Sequence, residues 1–163
     1  MRFIGIILTT LVLSACQTKT MKDSSVSIYA IRLKPGEDLK EGIEKVVREK
    51  NIKAGWVATV VGSLTDYTIR FANQPDSSRG NGHFEIVSLV GTISVNGSHL
   101  HISISDSTGK TIGGHLMPGC KVYTTAEIVL QSTGKYEFTR KEDGSTPWKE
   151  LQVKDLSAGQ AEK

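Results

Sequence analysis

Three of the four histidines in this 163-residue chain fall in one short stretch, GSHLHISISDSTGKTIGGHL, from Gly97 to Leu116. A neutral imidazole is a good ligand for zinc and other divalent metals, and it also exchanges protons near neutral pH. The spacing decides whether His99, His101 and His115 can act together. In SHLHISIS the two-residue period of a strand sends Leu100, Ile102 and Ile104 to one face and His99, His101, Ser103 and Ser105 to the other.

The turn that follows, DSTGK, sets where His115 falls. A two-residue loop at Ser107 and Thr108 would oppose Leu100 to His115 and send that ring into the core, but neither residue suits the positive φ of a primed turn. A three-residue loop, Ser107-Thr108-Gly109, puts glycine where a left-handed residue is required. That register opposes His101 to His115 with His99 on the diagonal, close enough for three imidazoles to converge on one ion. Three histidines without a fourth protein ligand leave a metal with open positions, which suits catalysis or small-ligand binding more than structure. Gly113 and Gly114 beside His115 read either as space above the site or as a bulge. The alternative for the same letters is an ordinary solvated sheet face, with His115 a polar group at a strand end.

Supporting groups are fewer. Glu85 in FEIVSLV and Glu127 in TTAEIVL lie within apolar strand runs, where an inward carboxylate would need a partner and could serve as a further ligand or a base. Arg70 and Arg140 could pair with those carboxylates or hold an anionic ligand. His83, after a glycine-rich loop, reads as an exposed residue. No nucleophile motif or phosphate loop points to a particular reaction.

The elements that must carry these residues are mostly strands. VSIYAIRL from Val26 alternates as a half-buried strand, and Leu39, Ile43, Val46 and Val47 recur at helical spacing, with acidic residues early and basic residues late. IKAGWVATVVGSL and DYTIRFAN read as two strands, Gln74 to Gly82 as a loop, and His83–Ser94, Ser98–Ser105, Lys110–Leu116, Lys121–Gln131 and KYEFTR as further strands. The set predicts an α+β fold, one compact domain with a largely antiparallel, curved or closed sheet and one main helix.

The first residues differ from the rest. Met1–Cys16 has one basic residue, a short apolar run and small residues before Cys16, which is a secretory signal and too short to span a bilayer. Leu13-Ser14-Ala15-Cys16 resembles a bacterial lipobox, which implies a lipid on Cys16, and Gln17 in place of Asp resembles outer-membrane sorting, so the periplasmic face of that membrane is expected. The expected organisation is a signal peptide at 1–15, lipidated Cys16 and a polar tether to 25, a domain over 26–153 and a flexible tail over 154–163. Cys120 is then the one remaining thiol, and burial is its expected fate. Removal of the signal leaves roughly 150 residues, enough for one domain with a core. The formal charge of +3 falls to a near-neutral balance once Arg2 is gone, which gives no footprint for a polyanion.

The segments LKPGEDL, VGSLTDYTIRFA, GHFEIVSLVGTIS, HLHISISDSTGKTIGGHL, VYTTAEIVL and FTRKEDGSTPWKEL, from about Ile28 to Val153, resemble the plants-and-prokaryotes-conserved (PPC) domain in its bacterial form. The resemblance implies a homotrimer, with an H-x-H…GGH pattern at His99, His101 and His115. Plant relatives that lack these histidines use the domain for oligomerisation and partner contact, while a separate AT-hook binds DNA, and no Arg-Gly-Arg-Pro core occurs here. The expected function is a lipid-anchored, trimeric domain that binds a divalent metal, zinc by its donor set, or a small ligand through the three histidines. The alternatives are a metal-dependent enzyme on a small substrate, an interaction module, or, by family label alone, a DNA-binding protein.

Overall fold

The computed structural model describes residues 25–157; the signal segment, Cys16, most of the tether and residues 158–163 lie outside the described residues. Eight strands and one helix follow in the order β1 (Val26–Leu33), α1 (Leu39–Glu49), β2 (Ala54–Arg70), β3 (Ser78–Ser94), β4 (Gly97–Ser105), β5 (Thr111–Leu116), β6 (Lys121–Thr133), β7 (Tyr136–Lys141) and β8 (Glu150–Asp155). Six strands form one antiparallel sheet in the order β1-β6-β2-β3-β4-β5, and β7 and β8 form a separate hairpin. The far end of β2 also pairs with β5, Ile69 opposite Leu116 and Arg70 opposite His115. Strands β2, β3, β4 and β5 therefore close on themselves, while β6 and β1 extend the sheet outward. The expected α+β domain with a curved antiparallel sheet is what the chain forms.

Closure puts the apolar residues of each strand inside. Leu100, Ile102 and Ile104 of β4, Leu116 of β5, Leu89 and Ile93 of β3 and Leu64 and Ile69 of β2 are all buried. Each such side chain contributes on the order of 1.5–3 kcal/mol relative to exposure. Helix α1 packs its Leu39 and Ile43 into the same core, and its start is capped by Asp38, whose Oδ1 accepts from Glu41 N at 3.1 Å. The other Asp38 oxygen accepts from Gly119 N at 2.6 Å, which ties the helix start to the approach of β6.

Three expectations are corrected. The two strands read in 52–73 are one 17-residue strand, because the polar Thr65-Asp66 pair is absorbed in a register shift and not in a turn. Asp66 is satisfied by its neighbour and by the next strand, accepting from Thr65 Oγ1 at 2.8 Å and from Asn81 Nδ2 of β3 at 3.0 Å. The loop expected over Gln74–Gly82 becomes strand from Ser78, since backbone pairing of Ser78, Arg79 and Gly80 with Ile69, Thr68 and Tyr67 satisfies groups that composition alone assigned to solvent. The polar segment Glu150–Asp155, for which no strand was expected, pairs with β7 and forms β8. Cys120, as expected, is fully buried.

Candidate metal centre

The hairpin that carries the histidines has the register its turn chemistry requires. Asp106 N donates to Lys110 O at 3.0 Å, Gly109 N donates to Asp106 O at 2.9 Å, and Gly109 takes φ +83°, leaving Ser107, Thr108 and Gly109 as the loop. Asp106 Oδ1 fixes the bend by accepting from Thr108 N, Thr108 Oγ1 and Lys110 N at 2.6–3.1 Å. These bonds, that from the Thr108 hydroxyl first, hold the Asp106 carboxyl below its ordinary pKa.

Along β4 and β5 the partners are His101 opposite His115, with no break in register to Ser105 opposite Thr111. The outer face of the closed sheet then reads Val90, His101, His115 and Arg70 across four strands, with Thr92 opposite His99 one step along. Gly113 and Gly114 neither bulge the strand nor leave space. A Cβ on Gly114 would lie 2.5 Å from Arg70 O and one on Gly113 2.8 Å from Ile102 O, so these glycines let β5 press against β2 and β4.

The three rings meet at their nitrogens. His99 Nε2 lies 3.1 Å from His101 Nε2 and 3.1 Å from His115 Nδ1, and one nitrogen from each ring lies within 4.8 Å of the others. A neutral ring nitrogen carries either one proton or one lone pair, so His99 Nε2 can make a hydrogen bond to one of its two neighbours, not to both. A cation between them would satisfy three lone pairs together. Tetrahedral zinc with Zn–N of about 2.0–2.1 Å separates its nitrogens by about 3.3 Å, close to the two 3.1 Å separations from His99 Nε2, and the third pair lies within 4.8 Å, so these residues fit a divalent metal. Loss of hydration, then the charges of Arg70 and the neighbouring histidines, pushes His115 down to about 4. Loss of hydration and the Arg140 and His101 charges also lower His99, with Glu150 acting in the opposite direction. Both rings are therefore neutral, and available as ligands, at pH 7.

The supporting residues divide. Arg70 and Arg140 line a cleft of about 470 Å³ beside His99 and His115. Glu85 and Glu127 do not come to it. Both are exposed; Glu85 pairs with Ser63 and Ser105 at the other end of the β3–β4 ladder, and Glu127 pairs with Arg32 and Val61 on β6. Their alternation within apolar runs puts them on the outer face but away from the histidines, so neither joins the trio within the chain. His83 is exposed and stacks on Tyr123 at 4.2 Å. Among the described residues no carboxylate or thiol completes the cluster.

Trp148, Lys149 and Glu150, absent from the sequence expectations, line the cleft as well. They sit on the β7–β8 arm, Trp148 and Lys149 in its loop and Glu150 at the start of β8, and the arm docks through Asn96, whose Nδ2 donates to Arg140 O and whose Oδ1 accepts from Arg140 N, both at 2.8 Å. The available signal was a tryptophan in the otherwise polar stretch EDGSTPWKE, where no core exists to bury it.

Residues 21–134 match the Plants and Prokaryotes Conserved (PCC) domain. The chain belongs to this family. Among solved structures it is similar to a protein from Salmonella enterica, 36% identical with a TM-score of 0.79, covering 83% of this chain and 98% of that one. A metal-containing protein from Archaeoglobus fulgidus shares the PCC fold at a TM-score of 0.68 and 23% identity, over 81% of this chain and 98% of that one. A curated relative is the bifunctional protein GlmU of a Synechococcus strain, 40% identical over 141 residues, which are 86% of this chain. The chain spans about a fifth of the length of the curated relatives it matches. The PCC match ends at residue 134, before the arm that carries Arg140, Trp148 and Glu150.

Proposed function

We propose that this PCC-domain protein binds one divalent metal, zinc by its donor set, through His99, His101 and His115, and presents the open side of that metal to a small ligand in the adjoining cleft. The observation that carries this reading is the position of His99 Nε2, held 3.1 Å from two other ring nitrogens in a way that hydrogen bonding alone does not satisfy. The similarity in fold to a metal-containing archaeal protein agrees with it. A bound metal supplies Lewis acidity to a ligand atom or water in its open position. The chain's own residues hold the His99 and His115 rings neutral, fix the directions of His101 and His115 through the β4–β5 ladder, and flank the trio with Arg70 and Arg140. Metal analysis of untagged protein against His101→Ala tests the reading. About one metal per chain in the parent and loss in the variant is the expected result, and equal, negligible metal in both removes it.

The same reading places the domain as a homotrimer, tethered by lipid on Cys16 to the periplasmic face of the outer membrane. Support for self-association comes from Val61 on β2 and Val87 and Val90 on β3, apolar side chains each more than half exposed that contact with a second copy would cover. Mass measurement of the soluble domain and of a Val90→Glu variant tests the assembly. Support for the tether is confined to the sequence around Cys16.

A further inference from the structure

The cleft beside the histidines holds more positive charge than the protein itself neutralises. Arg140 reaches over β3 and donates from Nη2 to Thr92 Oγ1 at 2.6 Å, while its Nε is buried without a hydrogen-bond partner. Thr92 is the cross-strand neighbour of His99, so this guanidinium lies at the edge of the trio. A guanidinium has five N–H donors in a planar fork, and a desolvated one left unpaired is unfavourable. On the other side Arg70, cross-strand neighbour of His115, donates from Nη1 to Gln74 O at 3.3 Å and lies 5.1 Å from the centre of the Trp148 ring. Trp148 keeps 57% of its surface exposed. Lys149 adds a third cation, and Glu150 is the single carboxylate of the lining.

The geometry points to a small organic acid as the ligand of this cleft, its carboxylate between the Arg140 fork and the open side of the metal, its apolar body against the exposed ring of Trp148. The metal half of this placement rests on the function proposed above, whereas the arginine and tryptophan half stands independently. The volume of about 470 Å³ is that of a small-molecule site, too little for a folded partner. A planar fork matches a carboxylate with two parallel hydrogen bonds. Phosphate sites commonly draw on backbone N–H groups of a glycine-rich loop or a helix start. Helix α1 supplies no residue to this lining. Arg70, His99 and His115 of this lining fall within the matched residues 21–134, whereas Arg140, Trp148 and Glu150 fall beyond them, so the acid site is built where the C-terminal arm meets the matched domain.

Calorimetric titration of the full soluble domain with benzoate, acetate and inorganic phosphate, on zinc-loaded and chelator-treated protein with zinc content measured in parallel, tests the assignment. Benzoate is expected to bind the zinc-loaded protein, and Arg140→Gln to weaken it tenfold or more with zinc content unchanged. Arg70→Gln, a second variant that leaves the arm's anchor at Asn96 intact, is expected to act in the same direction. Trp148→Ala should weaken benzoate severalfold while acetate changes less than twofold. Benzoate binding that is absent, or equal in the parent and both arginine variants, overturns the site, and tighter binding of phosphate than of benzoate overturns the carboxylate assignment. Benzoate binding that is lost in Arg140→Gln when neither protein retains zinc upholds the acid site and removes the metal reading alone.

Discussion

Replacing Gly114 by alanine separates the closure of the barrel from its general stability. The added methyl would sit 2.5 Å from the Arg70 carbonyl oxygen and 2.9 Å from Ile69 Cγ2, where ordinary contact begins at 3.4 Å. The first of these neighbours is backbone, so β5 must move from β2 by several tenths of an ångström, up to about 0.9 Å if β5 alone gives way. His115 is the next residue and is paired with Arg70, so its ring moves with the strand. Metal sites tolerate displacements of only about 0.2 Å in their ligand distances. Overpacking of this kind costs about 1–3 kcal/mol in stability. Displacement of a ligating ring should lower zinc affinity by at least the 10–100-fold seen when a supporting residue is lost. The comparison is Leu130→Ala, a fully buried residue of β6 away from the hairpin, which should cost about 2–5 kcal/mol and leave the rings in place. Urea unfolding gives the stabilities, and competition with a chromophoric chelator, in the folded baseline, gives the affinities. Zinc affinity of the parent strength in Gly114→Ala, or an equal loss in Leu130→Ala, would refute the link between strand contact and site geometry.

Burial first, offset in part by a backbone hydrogen bond at Thr68, pushes the Cys120 thiol up to about 11, so at pH 8 about one thiol in a thousand is ionised and alkylation should run about 100-fold slower than for an ordinary cysteine. Timed iodoacetamide labelling in native buffer and in urea checks this, and equal rates would place the thiol in solvent. The Asp106 carboxyl, held low by the Thr108 hydroxyl and nearby N–H groups, contributes stability that is present above its ordinary pKa and is lost as pH falls through the lower folded value. Thermal midpoints of Asp106→Ala and the parent should therefore differ at pH 7 and converge as the acid limit is approached.

The histidine hairpin was legible because every step in it is local. Alternation put the rings on one face, and a glycine three residues after Asp106 chose the loop, so register followed from a few consecutive letters. The helix was legible for the same reason, since Leu39, Ile43, Val46 and Val47 mark its inner face at helical spacing within a few turns. The cleft was not. Arg140 finds Thr92 across 48 residues, and Trp148 meets Arg70 only because the arm folds back over the outer face. Gly113 and Gly114 were read for what they lack, whereas their role depends on a neighbouring strand whose approach no local pattern announces. Asp66 broke an apparent strand in two because a polar pair in an apolar run normally marks a turn, and its satisfaction by Asn81 lies on another strand.

The length of β2 has a consequence for how the molecule comes apart. Its edges are hydrogen-bonded to β3 on one side and to β6 and then β5 on the other. β2 itself cannot leave the sheet without releasing amides in both the closed portion and its extension. The slowest-exchanging protons should thus form one set that spans the two, and the β7–β8 hairpin, which shares few backbone bonds with them, should open on its own at lower free energy.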